Sequence, residues 1–199
     1  MGILKPFPSA LRRRWRRLDV TGFEEALIEQ TADGWRLTGR LEAEEDGLAR
    51  LSYVIDCWSD WRTSRASVNG HAAGAPIRFD FTADGEGNWA LNGAPLIQVG
   101  GALDIDLGFT PATNLLPIRR LDLGVGRRAA VRTAWLRFPE LQVEALEQWY
   151  QHESPCVFRY EALVDGKPFR ARLDTDESGC VLRYEGLWEA VPTLTGVSP

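Results

Sequence analysis

The sequence predicts a mainly β protein that forms one large, curled antiparallel sheet. Apolar and polar residues alternate with a period of two along 35–41, 51–57, 77–81 and 103–107. Such alternation is typical of strands with one buried face and one solvent face. Turn-forming pairs such as Asp165-Gly166 separate the segments at short intervals, and closely spaced turns favour consecutive hairpins. We therefore expect roughly ten to twelve strands.

The second half of the chain continues this pattern and contains the best helical segment. Further strands are predicted over 118–124, 130–138, 156–163, 168–174 and 180–187. Val143–Gln151 is the best candidate for the one short helix, because Leu146, Trp149 and Tyr150 lie three and four positions apart. We expect this helix to cover one end of the sheet.

Chain length and charge distribution predict one domain with a basic N-terminal arm. A length of 199 residues fits a single all-β domain, and no linker is recognisable. Residues 1–20 contain six basic residues and one acidic residue, although the net charge of the chain is −5. We assign residues 1–14 to the arm and 15–199 to the domain. The arm could contact an anionic membrane or an acidic partner, or fold back on the acidic body.

Several classes of protein are disfavoured by the composition. The acidic body argues against a nucleic-acid partner. The three cysteines form no CxxC motif and neither histidine lies at ligand spacing to them, so we expect no metal and no cofactor. No apolar run approaches the ~20 residues of a membrane helix, and no apolar segment of a secretory signal follows the basic N-terminus. We expect a cytoplasmic protein with reduced cysteines.

The stretch 101–124 carries the most distinctive polar groups. Asp104 and Asp106 are two positions apart in a predicted strand, so both carboxylates project from one face. They could hold a cation, divide acid and base roles, or pair with arginines of a neighbouring strand. Thr113 and Asn114 follow in a polar loop, which could cap its own backbone or bind a hydroxyl-rich ligand.

Arginine and tryptophan supply the remaining candidate ligand contacts. In the predicted strand 118–124, Arg119 lies on the apolar face, where it needs a carboxylate partner such as Asp104 or Asp106, or an anionic head group. Trp61 and Arg65 are predicted to share one face. An aromatic ring beside a guanidinium suits a sugar ring or an acidic head group, and it also suits a structural cation–π pair.

Residues 104–121 also form a longer pattern, Asp104-Ile-Asp106-Leu, then Thr110-Pro111-x-Thr113-Asn114, then Leu116-Pro117-Ile118-Arg119-Arg120-Leu121. Shorter supporting patterns are Trp35-x-Leu37-x-Gly39, Tyr53 through Arg65, and Tyr160-Glu161. From about residue 15 to 190 the chain resembles a bacterial family, long of unknown function, whose members are described as putative glycolipid-binding proteins. This resemblance implies a spiral β-roll, a curled antiparallel half-barrel wound around a hydrophobic interior.

The resemblance and the lack of a known catalytic motif together favour binding over catalysis. We expect a glycolipid or similar amphipathic ligand in a hydrophobic cavity of the β-roll. The expected ligand contacts are Trp61, Arg65, Asp104, Asp106, Thr113, Asn114 and Arg119. One alternative is an enzyme of modest acid–base chemistry that uses Asp104 or Asp106 on a hydrophobic small molecule. Another is a structural or interaction protein.

Overall fold

Fifteen strands form one sheet in this computed structural model, which describes residues 4–45 and 47–192. The strands of the first half are β1 Ala10–Arg17, β2 Gly22–Gln30, β3 Gly34–Glu44, β4 Leu48–Trp58, β5 Thr63–Ala72, β6 Ala75–Ala83, β7 Trp89–Leu91 and β8 Ala94–Pro95. Those of the second half are β9 Asp104–Leu107, β10 Arg128–Leu136, β11 Val143–Ser154, β12 Val157–Val164, β13 Lys167–Thr175, β14 Val181–Tyr184 and β15 Trp188–Val191. The mainly β class, with one curled sheet, is therefore confirmed, although the sheet has more strands than the ten to twelve expected.

The strand order is β8-β7-β6-β5-β4-β3-β2-β1-β15-β14-β13-β12-β11-β10-β9. Every adjacent pair is antiparallel except β9 and β10. The sheet curls until its last strand meets the opposite half of the molecule: the Thr63 amide at the start of β5 donates to the Leu103 carbonyl at 3.0 Å, and the Ile105 amide donates to the Thr63 hydroxyl at 3.0 Å. These bonds satisfy backbone groups on the free edge of β9.

The core lies on the inner face of the curled sheet. Along β3, for example, Leu37 and Leu41 are buried whereas Arg36 and Arg40 face solvent. The alternation predicted from the sequence therefore gives the burial pattern directly. Trp15 of β1 is fully buried, and its indole N–H donates to the Val181 carbonyl at 2.8 Å, which satisfies the one polar group of the ring.

Two predicted elements are wrong. Val143–Gln151 is not a helix but most of β11, because alternate residues from Leu146 to His152 are buried and the period is two. Residues 118–124 are not a strand: helix α1 spans Leu115–Leu121, directly after a 3₁₀ turn at Ala112–Asn114. Pro117 lies in the first turn of α1, where no backbone N–H is needed. Another 3₁₀ turn covers Ile97–Val99.

The basic segment 1–14 is joined to the sheet over part of its length. Residues 1–3 lie outside the described residues, and Ala10–Arg14 belong to β1. Arg13 and Arg14 are both partly buried. Arg13 pairs with Asp176 of the β13–β14 turn, and Arg14 pairs with Glu25 of β2 at 3.3 Å. The segment is thus attached to the acidic body at these two arginines.

Candidate functional site

A cavity of about 180 Å³ lies between the inner face of β10–β15 and the segment that follows β9. Its lining is Asp106, Leu107, Gly108, Thr110, Asn114, Trp135, Leu146, Tyr160, Val164, Phe169, Tyr184, Leu187 and Trp188. A carboxylate, a hydroxyl and an amide come from residues 106–114, while the sheet supplies mainly aromatic and aliphatic groups. Apolar walls with a few convergent polar groups are the usual composition of a small-molecule site.

The carboxylate of Asp106 is the one acidic group among the described lining residues of this cavity. It accepts a hydrogen bond from Gln148 Nε2 at 2.5 Å and a longer one from Thr113 Oγ1 at 3.3 Å. Burial raises the pKa of Asp106 to about 6, while these two donors act in the opposite direction. The group is therefore mostly an anion at neutral pH, held by neutral donors alone.

The 3₁₀ turn before α1 brings Thr113 and Asn114 beside Asp106. Both side chains are buried. Asn114 Oδ1 accepts a hydrogen bond from the Tyr150 hydroxyl at 2.8 Å, and its Nδ2 donates to the Pro111 carbonyl at 3.2 Å. Asp106, Thr113 and Asn114, which the sequence analysis proposed as ligand contacts, thus lie close together, and these hydrogen bonds fix the position of the Asn114 amide.

Asp104 is on the same face of β9 as Asp106 but has a different environment. It is fully buried, and its carboxylate accepts hydrogen bonds from Arg120 Nε at 3.0 and 3.2 Å and from Arg120 Nη2 at 2.5 Å. The ion pair predicted for Arg119 is therefore made by Arg120, because helix α1 turns the two arginines to different sides. Burial still raises the pKa of Asp104, although Arg120 opposes that change.

A third buried acid, Glu24, lies behind the cavity. Glu24 is fully buried in β2 and accepts hydrogen bonds through Oε1 from the Tyr53 hydroxyl at 2.5 Å and the Thr110 hydroxyl at 2.6 Å. Its Oε2 has no hydrogen-bond partner among the described residues. Burial raises the pKa of Glu24 to about 8, against the effect of both hydroxyls. Glu24 is therefore mainly a neutral carboxylic acid at pH 7, joined to the cavity through Thr110.

Trp61 and Arg119 meet in a separate aromatic cluster that is not part of the cavity wall. Trp61 stacks on Trp35 with centroids 4.5 Å apart, and Phe7 contacts both rings edge-on at 5.2 Å. The Arg119 guanidinium lies 5.5 Å from the Trp61 ring centroid and 5.8 Å from that of Phe7. Its Nη1 donates to the Lys5 carbonyl at 2.9 Å, so the cluster holds the segment before β1 against the sheet.

Arg65 lies apart from both groups, on the solvent face of β5. It stands opposite Asp56 and Thr82 in the register, and it is exposed. The prediction that Trp61 and Arg65 share a face is wrong, because Ser64 forms a bulge between the Cys57–Thr63 and Asp56–Arg65 pairs. One extra residue reverses the alternation of every side chain that follows it.

Several residues of the site were not identified from the sequence. Thr110 donates a hydrogen bond to Glu24, and Gln148 donates one to Asp106. Much of the aromatic wall is formed by Tyr160, Phe169 and Tyr184. Thr110 belongs to the 104–121 pattern, but nothing in its local sequence predicts its hydrogen bond to Glu24, 86 positions away. Period-two alternation in β12 and β13 does assign Tyr160 and Phe169 to the inner face, and that signal was available.

The described residues form neither a metal-binding cluster nor a membrane-spanning helix. Residues 4–45 and 47–192 contain no group of three or more His, Cys, Asp or Glu side chains that could hold a metal ion. Over the same ranges, no helix has both the length and the apolar character needed to cross a membrane.

Comparisons with known proteins agree with this architecture. The model of the family described as "Putative glycolipid-binding" matches residues 12–190. The crystal structure of a DUF1089 family protein from Pseudomonas aeruginosa superposes with a TM-score of 0.74 at 27% sequence identity, covering 95% of this chain and 96% of that one. None of the curated proteins matches. Because the family model spans nearly the whole chain, this protein belongs to the "Putative glycolipid-binding" family.

Proposed function

We propose that the protein binds a glycolipid or a similar amphipathic molecule, with its head group in the cavity beside Asp106. One observation carries this proposal: Asp106, Thr110 and Asn114, which carry a carboxylate, a hydroxyl and an amide, line a cavity whose other walls are mainly apolar and aromatic. Polar groups fix the orientation of a ligand in such a site, while the apolar walls contribute most of the buried contact area. The family description points to the same class of ligand.

The cavity volume limits how much of the ligand can enter. A cavity of ~150 Å³ is enough for one benzene-sized ring, and this cavity measures about 180 Å³. Sites that enclose a whole drug-sized ligand measure about 300–1,000 Å³. The cavity thus accommodates one ring of the head group, and the rest of the ligand lies outside it. Among the sequence-predicted contacts, Asp106, Thr113 and Asn114 are consistent with this placement, and Arg65 is not.

A second candidate function is acid–base catalysis by Asp106 on a small molecule held in the same cavity. The observation that favours it is a carboxyl group in the cavity wall with a pKa of about 6, because a general base works best near the operating pH. Asp104 is a weaker candidate, since Arg120 engages both of its oxygens. Recovery of a bound ligand chemically unchanged after prolonged incubation with fresh protein would count against this alternative.

The three cysteines support the proposed cytoplasmic location. Cys57, Cys156 and Cys180 are all free thiols, as expected in a reducing compartment.

The charge of the chain bears on its partners. An acidic chain of net charge −5 is unsuited to a nucleic-acid partner. We therefore expect a small amphipathic molecule to be the principal partner.

Native mass spectrometry of gently purified protein, followed by organic extraction, tests the binding proposal. A discrete added mass that is recovered as a lipid or glycolipid supports it. The Val164→Trp variant should lose that mass, because Val164 lines the cavity and the larger side chain fills it. Leu163→Trp is the matched control, since the adjacent residue of β12 is exposed. Retention of the mass by a folded Val164→Trp variant would show that this cavity is not the binding site.

A further inference from the structure

We infer that the head group that enters the cavity is a single hydroxyl-rich ring without negative charge. The inference rests on the proposed function and narrows its ligand class. It depends on three properties of the cavity, namely its charge, its hydrogen-bonding groups and its aromatic walls.

The charge of the cavity is negative and is not compensated by a cation in its wall. The described lining residues include Asp106 but no lysine, arginine or histidine. Arg120 is held by the carboxylate of Asp104, and Arg119 lies in the aromatic cluster with Trp61. An anionic head group would therefore meet a carboxylate in a poorly solvated space. Like charges brought together in this way repel strongly, so phosphate and carboxylate head groups should bind much more weakly than neutral ones.

The cavity has free hydrogen-bond acceptor positions, but its own donors are already used. A ligand that fits it must therefore donate hydrogen bonds. A carboxylate offers about four acceptor positions, and Asp106 receives only Gln148 Nε2 and Thr113 Oγ1 within the described residues. The amide donor of Asn114 is already used by the Pro111 carbonyl, and the Thr110 hydroxyl donates to Glu24. A ring that carries several hydroxyl groups can donate to the remaining acceptor positions of Asp106, with charge-assisted hydrogen bonds as the result.

The aromatic walls suit the faces of a sugar ring. Tyr160, Phe169 and Tyr184 form a contiguous group with centroid separations of 5.7 to 6.4 Å, and Trp188 adds a further ring. The face of an aromatic ring carries partial negative charge, which attracts polarised C–H groups and repels anions. Size, charge and donor demand thus all favour one neutral sugar ring over a phosphorylated or acidic head group.

Isothermal titration of the wild-type protein with two matched amphiphiles tests the inference. Octyl β-D-glucopyranoside and octyl β-D-glucuronide have the same alkyl chain and differ only at C6, where the hydroxymethyl group of the glucoside is replaced by a carboxylate. Measured at pH 7.5 below their micelle concentrations, the glucoside should bind at least about tenfold more tightly, since tenfold corresponds to only ~1.4 kcal/mol of the expected repulsion. This comparison needs no variant, so it does not depend on the folding of an altered chain.

The Asp106→Asn variant then tests whether the Asp106 carboxylate causes the difference in affinity between the two amphiphiles. Removal of the negative charge should reduce the difference between the two amphiphiles to less than about threefold, while Asp80→Asn on the outer face of β6 should leave it unchanged. Equal or tighter binding of the glucuronide by the wild type would overturn the inference but leave the proposed function standing. Undetectable binding of both amphiphiles would refute the proposed function, and the inference with it.

Discussion

Tyr53 lies across the backbone of Gly39 and donates its hydroxyl group to the buried carboxyl group of Glu24 at 2.5 Å. The three residues come from adjacent strands β4, β3 and β2, so one side chain spans the middle strand to reach the acid. This is possible only because position 39 has no side chain. Thr110, from the segment that follows β9, donates to the same oxygen of Glu24 and also lines the cavity. The inner face of the first half of the sheet is therefore connected to the candidate site.

The Gly39→Ala substitution should destabilise the protein by about 1–3 kcal/mol, the usual cost of overpacking a filled interior. A Cβ atom at this position would lie 2.3 Å from the Tyr53 ring, so the ring must move and its bond to Glu24 is lost. Urea denaturation measures the change. In a Tyr53→Leu background the same substitution should cost less than about 0.5 kcal/mol. Equal costs in the two backgrounds would show that the Tyr53 ring is not what Gly39 accommodates.

The stability of the fold should depend on pH through Glu24. Its pKa is raised to about 8 in the folded state, so the folded chain binds this proton more tightly than the unfolded chain. The free energy of unfolding that Glu24 contributes is therefore fully present below about pH 4.5 and is lost as the pH rises through about 8. The loss has an upper limit of about 1.4 kcal/mol per pH unit.

The Glu24→Gln variant provides the measurement, because its side chain is nearly isosteric and does not titrate. Wild type should lose stability relative to the variant between pH 6.5 and pH 8 in parallel urea titrations. Asp106 has a raised pKa of about 6, so most of its own contribution changes below this interval. A difference in stability that stays constant across the interval would mean that Glu24 is already ionised in the folded protein.

Most of the fold was predictable because the strands obey a simple local rule. Where one face of a strand is buried and the other solvated, period-two alternation identifies both the strand and its inner face, as along 35–41 and 51–57. The rule failed at Val143–Gln151, where the helical spacing of three large residues competed with the alternation. It also failed over 118–124, predicted as a strand, because the apolar, proline-containing run that forms α1 reads equally well as a strand. Tertiary packing decided both cases.

The candidate site was less predictable because its geometry depends on contacts between distant segments. Local sequence placed Asp106, Thr113 and Asn114 near one another, since only a short loop separates them. It could not show that Arg120, one helical position after Arg119, would be the partner of Asp104. Nor could it reveal the bulge at Ser64, which turns Arg65 to solvent. A shift of one residue in strand register or helix position changes which side chain reaches a site, and local sequence patterns do not predict such shifts.

Removal of Arg120 should be among the most destabilising changes at a polar residue. The Arg120→Met variant leaves the carboxylate of Asp104 fully buried without a cation, which typically costs about 3–5 kcal/mol. Adding Asp104→Asn should recover about 2 kcal/mol, because the uncompensated charge is then gone. Urea denaturation of the two single variants and the double variant gives the coupling energy.

The control for this cycle is an exposed ion pair of the same type. Arg128 pairs with Glu161 at 2.9 Å, but its side chain is 47% exposed. Arg128→Met should therefore change the stability by less than about 1 kcal/mol. If Arg120→Met has as small an effect as Arg128→Met, Asp104 must be protonated in the folded protein and the buried pair is not ionic.

Arg119 should act on the segment before β1 and not on the ligand. Its guanidinium contacts the Phe7 and Trp61 rings and donates to the Lys5 carbonyl, so Arg119→Gln removes two cation–π contacts and weakens the attachment of this segment. The expected destabilisation is about 1–2 kcal/mol. Hydrogen exchange of the Lys5 amide, which donates to the Glu177 carbonyl, should accelerate several-fold.

Arg62→Gln, which removes the exposed contact with Trp58, is the matched control and should leave the exchange rate of the Lys5 amide unchanged. Affinity for octyl glucoside should stay within about twofold in both variants, because neither arginine lines the cavity. A large loss of affinity in Arg119→Gln alone would instead place Arg119 in the ligand site, as the sequence first suggested.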